Sequence, residues 1–130
     1  MATRAERARL RAASFKRSEC PLACALDVFG DKWSLLIVRD LLLGRSRYSE
    51  FLRAGEGIPT NILAQRLTRL AEAGLVERRS SRDSRRRFEY RLTETGRKLG
   101  PIVGALVDWG RAQIRGTRVR APHGTPPPRR

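Results

Sequence analysis

The chain has 130 residues, with 28 lysines and arginines against 13 acidic residues and a net charge of +15 at pH 7. This length predicts a single domain, and the 40% of hydrophobic residues can form one modest core. The basic residues are mostly arginine, whose guanidinium group matches the geometry of phosphate and guanine. We therefore expect nucleic acid as the first class of partner and an anionic surface as the second.

Composition also disfavours several classes of protein. No apolar run approaches the ~20 residues of a membrane-spanning helix, and no apolar segment follows the basic N-terminus, so no membrane segment and no secretory signal are expected. The only histidine, His123, lies in a basic tail, and Cys20 and Cys24 are too few for a disulfide framework. A cytoplasmic protein without enzyme activity, metal or cofactor is therefore predicted.

Composition divides the chain into three segments. Residues 1–18 form a basic N-terminal arm, residues 19–115 carry the dense apolar pattern of a folded domain, and residues 116–130 form a disordered basic tail rich in proline and arginine. The alanine-rich arm is consistent with either a helix or a frayed end. The elements described next therefore lie within residues 19–115.

The first two helices are predicted from their boundaries. Pro21 fits the first turn of a helix, where proline is favoured. Gly30 fits the end of that helix, where glycine is favoured. Asp31 is the candidate N-cap of a second helix over residues 32–43, and Gly44 ends that helix. The apolar residues expected on its buried face are Trp33, Leu36, Ile37 and Leu41.

Two further helices follow in the predicted order. The side chains that indicate a short third helix are Tyr48, Phe51 and Leu52, and Gly55 and Gly57 close it. A fourth helix is expected to begin at Pro59 or Thr60 and to end at Gly74. Its apolar residues, which repeat at steps of four and three, are Leu63, Leu67 and Leu70.

After Gly74 the hydrophobic period changes from helical to alternating. A strand is expected to start at Leu75, a polar hairpin loop spans residues 80–87, and a second strand carries apolar residues at 88, 90 and 92. A last helical element starts near Thr93, with Pro101 marking a kink or a fresh start. The apolar stripe of this element consists of Leu99, Ile102, Val103, Leu106 and Trp109. Trp33 and Trp109 are both interpreted as packing residues, because each lies on an apolar helical stripe.

This order of elements, mainly helical with a small β-hairpin wing, predicts a winged helix-turn-helix. The fourth helix of such a fold enters the major groove of DNA, and its buried leucines turn Thr60, Asn61 and Gln65 outward, where amide side chains can read adenine edges. The candidate DNA-binding residues, on this helix, on the basic hairpin and just before the third helix, are Arg47, Thr60, Asn61, Gln65, Arg66, Arg69, Arg85, Arg86 and Arg87. An ordinary solvated helix face and a flexible solubilising loop are the alternatives.

The same residues resemble the HxlR-type bacterial transcriptional regulators. The resemblance covers about residues 19–115 in one unbroken order. The segments that carry it are CP at 20–21, ALDVFGDKW at 25–33, LLLG at 41–44, RYSEF at 47–51, IPTN at 58–61, GLV at 74–76, YRLT at 90–93 and WG at 109–110. The resemblance implies a homodimeric DNA-binding regulator of the MarR-like superfamily, with the N- and C-terminal helices forming the dimer.

The apolar stripe of the last helix is the candidate dimer interface, because one unit of this size leaves it partly uncovered. The interface residues are Leu99, Ile102, Val103, Leu106 and Trp109. A twofold axis would set two recognition helices on an inverted-repeat operator in double-stranded DNA, most simply as a repressor. A nonspecific architectural DNA-binding protein is the alternative function, and the net charge and arginine-rich tails support it.

Cys20 precedes Pro21 at a predicted helix N-terminus, near Lys16 and Arg17, where the positive potential favours a thiolate. Some members of the resembling family sense oxidants or electrophiles through a cysteine at this place, whereas in others the cysteine has no demonstrated role. Cys20 is therefore a candidate redox sensor, with a small packed side chain as the equal alternative. An oxidant or a small molecule is the corresponding candidate inducer.

Overall fold

A computed structural model describes residues 18–80 and 88–119 of the chain. Within them the elements follow the predicted order of helices and hairpin. They are α1 Pro21–Phe29, α2 Ser34–Leu42, α3 Tyr48–Leu52, α4 Thr60–Glu72, β1 Val76–Ser80, β2 Phe88–Leu92, α5 Glu94–Arg97 and α6 Gly100–Gln113. The N-terminal arm up to residue 17, most of the tail and the hairpin loop at 81–87 lie outside the described residues.

Helix α1 has the predicted boundaries. Pro21 stands in its first turn after the N-cap Cys20, where a missing backbone N–H costs no hydrogen bond. At the other end the Gly30 amide donates to the Leu26 carbonyl at 2.7 Å. A Cβ on Gly30 would collide with that carbonyl oxygen, so the close approach that ends the helix requires glycine.

Helix α2 is shorter than predicted, and its buried face matches the prediction only in part. The Asp31 carboxylate accepts hydrogen bonds from the Trp33 and Ser34 amides, both at 3.0 Å, so it caps the turn that leads into the helix. The residues that this helix buries are Ser34, Ile37, Val38 and Asp40. Of the apolar face predicted for this helix, Ile37 is buried and Leu41 packs against the core, whereas Trp33 and Leu36 are only partly buried. The Lys32 ammonium lies 4.8 Å from the centre of the Trp33 ring.

Helix α4 ends as its glycine predicts. Gly74 has φ of +79°, and the Leu75 amide donates to the Leu70 carbonyl at 2.9 Å, which closes the last turn. Because Leu75 makes this closing bond, β1 begins one residue later than predicted, at Val76. Ser80, assigned to the loop by sequence, is the last residue of that strand.

The two strands pair antiparallel, with Val76 opposite Leu92 and Ser80 opposite Phe88. An isolated antiparallel bridge joins Arg47 to Glu89 at the free edge of β2. The Tyr90 amide donates to the Ser46 carbonyl at 2.7 Å in the same pairing. The residues just before α3 are therefore joined to the wing by backbone hydrogen bonds.

Pro101 marks a fresh start rather than a kink. The Thr93 hydroxyl accepts from the Gly96 amide at 3.0 Å, capping the short helix α5, and donates to the Gly74 carbonyl at 2.6 Å. A separate helix, α6, then starts at Gly100 with Pro101 in its first turn. A proline has no amide to donate, so the start of a helix is the position where it costs least.

The core lies between α2, α3, α4, the hairpin and the start of α6. Its buried hydrophobic members are Ile37, Val38, Phe51, Leu63, Leu67, Leu70, Leu75, Val76, Leu92 and Leu99. Val103 is partly buried against this core. Two expectations change here: Leu99 belongs to the protomer's own core, and Trp109, which is 61% exposed, does not pack there. Within α6 itself no residue is fully buried: Val103 is partly buried against the core, whereas Ile102, Leu106 and Trp109 are exposed.

Candidate nucleic-acid interface

The outer face of α4 is polar and exposed. Leu63, Leu67 and Leu70 are at most 2% exposed, which fixes the rotation of the helix about its axis. The opposite face carries the exposed side chains of Thr60, Asn61, Ala64, Gln65, Thr68 and Arg69. This face has the composition that reads base edges in a major groove. DNA contact by these residues stays a prediction.

The N-terminal end of α4 is held by α3. The Tyr48 hydroxyl donates to the Thr60 carbonyl in the first turn of α4. The Glu50 carboxylate accepts from the Ser46 and Arg47 amides, at 3.2 and 3.0 Å, and so fixes the start of α3. The sequence pattern predicted Tyr48 only as an apolar helix residue. The contact between Tyr48 and α4 was not predicted, because it depends on how α3 and α4 cross.

The flank of α4 is held by the corner between α1 and α2. The Nε of Arg66 donates to the Asp31 carboxylate at 2.9 Å, and Arg69 donates to the Asp27 carbonyl at 3.1 Å. Arg66, predicted only as a flanking DNA contact, is thus also a tie within the protomer. Asp31 was predicted only as a helix cap, and no local pattern signals its second partner 35 residues away.

Asp31 remains ionised because of its hydrogen bonds. Partial burial opposes the charge, but hydrogen bonds from the Ser34 hydroxyl and from the Trp33 and Ser34 amides, together with the Arg66 guanidinium, hold the pKa of Asp31 below its usual value. A charged carboxylate makes a stronger hydrogen bond to a guanidinium than a neutral acid does. The Asp31–Arg66 contact is therefore a charge-assisted pair at neutral pH.

A second ion-pair network supports the turn between α3 and α4. Asp40, which is buried, accepts from Arg39 at 3.0 Å and from Arg45 at 2.8 Å. Arg39 also reaches Glu56 at 3.2 Å, in the turn that precedes α4. Two guanidinium groups compensate the desolvated carboxylate, which would otherwise be costly in the core. Arg39 and Asp40 are adjacent in the chain, but Glu56 lies 17 residues from Arg39, so no local pattern predicts the whole network.

The strands of the wing carry arginines, some of which are paired with glutamates. Arg91 contacts Glu77 at 3.1 Å, and Arg47 contacts Glu89 at 3.6 Å. The Arg78 guanidinium stacks over the Phe88 ring at 4.3 Å, a contact that orders an exposed strand residue. Arg85, Arg86 and Arg87 lie outside the described residues, so their proposed contact with the DNA backbone stays a prediction.

Cys20 is exposed and Cys24 is partly buried, and neither is in a disulfide. The Cys24 thiol donates to the Ser18 carbonyl at 3.1 Å, while the Cys20 amide donates to the Ser18 hydroxyl at 3.1 Å. The thiol of Cys20 is thus the more accessible of the two. Lys16 and Arg17, on which the expected positive surroundings depend, lie outside the described residues.

Two helices expose apolar faces. Leu22 and Leu26 lie one turn apart on α1, and Leu22 is 66% exposed. On α6 the exposed apolar side chains are Ile102, Leu106 and Trp109. Large exposed apolar groups at helical spacing are typical of an interface. Of the predicted interface residues, these three are free for a partner, whereas Leu99 and Val103 contact the protomer's own core.

The described parts of the chain hold neither a metal-binding cluster nor a membrane-spanning helix. Across residues 18–80 and 88–119, no three His, Cys, Asp or Glu side chains are grouped so that they could hold a metal ion. No helix in those ranges has both the length and the apolar character needed to cross a membrane.

A short helix, a turn, an exposed polar helix and a basic hairpin together define the winged helix-turn-helix class. The model of the HxlR-like helix-turn-helix family matches residues 28–118. The chain therefore belongs to this family, and the predicted resemblance is confirmed.

Known relatives agree with this assignment. An uncharacterized HTH-type transcriptional regulator of Mycobacterium bovis is 41% identical over 86 residues, 66% of this chain and 54% of that protein. The chain thus spans about half the length of the mycobacterial relatives it matches. PA1607, a candidate transcription factor, has a crystal structure with a TM-score of 0.74, 41% identity, and coverage of 89% of this chain and 84% of that one. The redox regulator HypR in its oxidized form has a TM-score of 0.67, 35% identity, and coverage of 72% and 97%.

Proposed function

We propose that this protein regulates transcription by binding a specific DNA sequence through α4 and the wing. The observation that carries this proposal is the exposed polar face of α4, set on three buried leucines and flanked by a basic hairpin. Amide and hydroxyl groups at the start of this face, on Thr60, Asn61 and Gln65, are suited to base edges in the major groove. The function is binding rather than catalysis.

The binding form is a homodimer on an inverted repeat. The exposed apolar faces of α1 and α6 support this part of the proposal, because covering them removes apolar surface from water. A twofold axis would set two copies of α4 about one turn of DNA apart, ~34 Å. A dimer on such a site within a promoter blocks access by polymerase, so repression is the proposed sign of regulation.

Selection from a library of random duplexes tests this function. The full chain should enrich one short inverted repeat, and the enriched duplex should compete far better than a scrambled duplex of the same composition. Placing the enriched duplex in a promoter should then lower transcription when the protein is added. Enrichment of no sequence, with even coating of any duplex, would instead favour a nonspecific architectural protein held by charge alone.

A second proposal concerns regulation through Cys20. Its exposed position at the N-cap of a nine-residue helix supports a reactive thiol. The similarity to the redox regulator HypR supports the same interpretation. Helix α1 also carries part of the exposed apolar surface, so a bond or adduct at Cys20 could reorient one subunit against the other.

Oxidation of matched cysteine variants tests this second proposal. Affinity for the enriched duplex is measured before and after diamide in wild type, Cys20→Ser and Cys24→Ser. A change in wild type that reductant reverses and that Cys20→Ser abolishes would support the sensor. The Cys24→Ser variant separates a bond between the two cysteines from a bond or adduct at Cys20 alone. Equal affinities in all samples would refute a sensor role for Cys20.

A further inference from the structure

The Asp31–Arg66 pair joins the recognition helix to the scaffold. Both side chains are about 21% exposed, and the bond between Nε and the carboxylate measures 2.9 Å. Within residues 18–80 and 88–119 no further partner of the Arg66 guanidinium is found, so its two terminal amino groups remain for a ligand. A guanidinium held through Nε keeps those two donors side by side in one plane.

Asp31 is itself immobilised. Its Oδ2 accepts from the Trp33 and Ser34 amides, both at 3.0 Å, and its Oδ1 accepts from the Ser34 hydroxyl. A carboxylate fixed by three donors from the start of α2 cannot follow a moving arginine. The Arg66 side chain therefore loses much of its rotamer freedom when the protein folds, before any DNA is present.

A neighbouring contact fixes the same edge of α4. Arg69, three residues after Arg66 and on the adjacent turn, donates to the Asp27 carbonyl at the end of α1 at 3.1 Å. The α1–α2 corner thus holds α4 at two successive positions. The distance and direction from Arg66 to the exposed face of α4 are set by this corner.

We infer that Asp31 is a positioning residue for DNA recognition, which holds the Arg66 guanidinium so that it meets acceptor atoms of the DNA only when α4 is seated on its operator. Two effects follow from the geometry. A fixed guanidinium makes its full contact only in one register, which favours the operator. The negative charge of Asp31 lowers the attraction of Arg66 for phosphates in every arrangement, and nonspecific binding, which depends on charge alone, has no base contact to offset this loss. Asp31 therefore raises the ratio of specific to nonspecific affinity.

The Asp31→Asn variant separates charge from shape. Asparagine is an equally good N-cap, so it keeps an acceptor for the amides that start α2 while removing the charge that holds Arg66. The matched control is Glu94→Gln, which makes the same charge change on the exposed side of α5. The Arg66→Gln variant and the double variant Asp31→Asn with Arg66→Gln complete a cycle.

Binding of each variant is measured on two probes, the duplex enriched by the wild-type chain and a scrambled duplex of the same composition. Thermal melting of each variant corrects for the folded fraction. We expect Asp31→Asn to lower affinity for the enriched duplex about 10-fold and to leave unchanged or raise affinity for the scrambled one. In the Arg66→Gln background the same substitution should leave the ratio of the two affinities unchanged.

Two results would overturn the inference. One is an equal change on both probes, as expected for Glu94→Gln, which would make Asp31 a purely structural or purely electrostatic group. The other is an undiminished loss of specificity in the Arg66→Gln background, which would mean that Asp31 acts without Arg66. The inference rests on the proposed function, but different results contradict the two. If the wild-type chain enriches no duplex, the proposed sequence-specific binding is wrong. If it enriches a duplex but the variants give either of those two results, only the positioning role of Asp31 is wrong.

Discussion

Replacing Leu106 tests the dimer and its location in one experiment. This side chain is 53% exposed on α6 in the single chain. Full burial of a leucine contributes ~1.5–3 kcal/mol, so covering the exposed half contributes about 0.8–1.6 kcal/mol per protomer. A twofold interface counts the residue twice, which gives about 1.6–3.2 kcal/mol. Leu106→Ala should therefore weaken the dimer about 15–200-fold, at 1.4 kcal/mol for each tenfold step.

Leu106→Glu should have a larger effect on the same equilibrium. Besides losing the leucine contacts, it would bury a carboxylate without a partner, and the effective penalty is several kcal/mol per ion. We expect a monomer in sedimentation velocity at concentrations where wild type is a dimer, with loss of binding to the enriched duplex. Thermal stability of the isolated subunit should change little, because Leu106 is not part of the core.

The control for this prediction lies on the same helix. Gly104→Glu adds the same charge about 160° around α6 from Leu106, since successive residues are 100° apart. A Cβ at Gly104 meets no atom within 4 Å, so the new side chain has room. This variant should remain dimeric. A Leu106→Glu protein that sediments as a dimer would refute the assignment of the interface to this face of α6.

Three further outcomes follow from the site. Asn61→Ala and Gln65→Ala should each cost ~1–3 kcal/mol on the enriched duplex and little on a scrambled one, as read from binding isotherms; equal losses on both would mean that these residues do not read bases. Replacing the arginines at positions 85–87 by alanine should weaken binding to all DNA sequences. Each lost phosphate contact should reduce the slope of log affinity against log salt concentration by ~0.9. An unchanged slope would show that these arginines do not contact the DNA backbone. The lowered pKa of Asp31 stabilises the fold above the pKa of the unfolded carboxyl, and this stability is lost as the pH falls through the lower folded value. Denaturant unfolding in acid should show a weaker pH dependence in Asp31→Asn than in wild type, and identical profiles would contradict the assignment.

The sequence alone determined the elements and their order, because the signals for them are local. Pro21 and Gly30 bracket α1, Gly74 ends α4, and the change from helical to alternating periodicity marks the hairpin. Each signal depends on a residue's own conformational limits or on neighbours within one turn. The same local periodicity also gave the outward face of α4, since three buried leucines fix its rotation.

Tertiary structure decided which apolar residues belong to the core and which remain for a partner. The apolar stripe is continuous in sequence, yet Leu99, just before α6, is buried, Val103 is partly buried and Leu106 is half exposed. The reason is that α6 rests on the core along only part of its circumference. Periodicity gives the apolar side of a helix but not the width of the contact that covers it. The Asp31–Arg66 pair depends on the same kind of information. Its members are 35 residues apart, and only the crossing of α4 over the α1–α2 corner brings the carboxylate within 2.9 Å of the guanidinium.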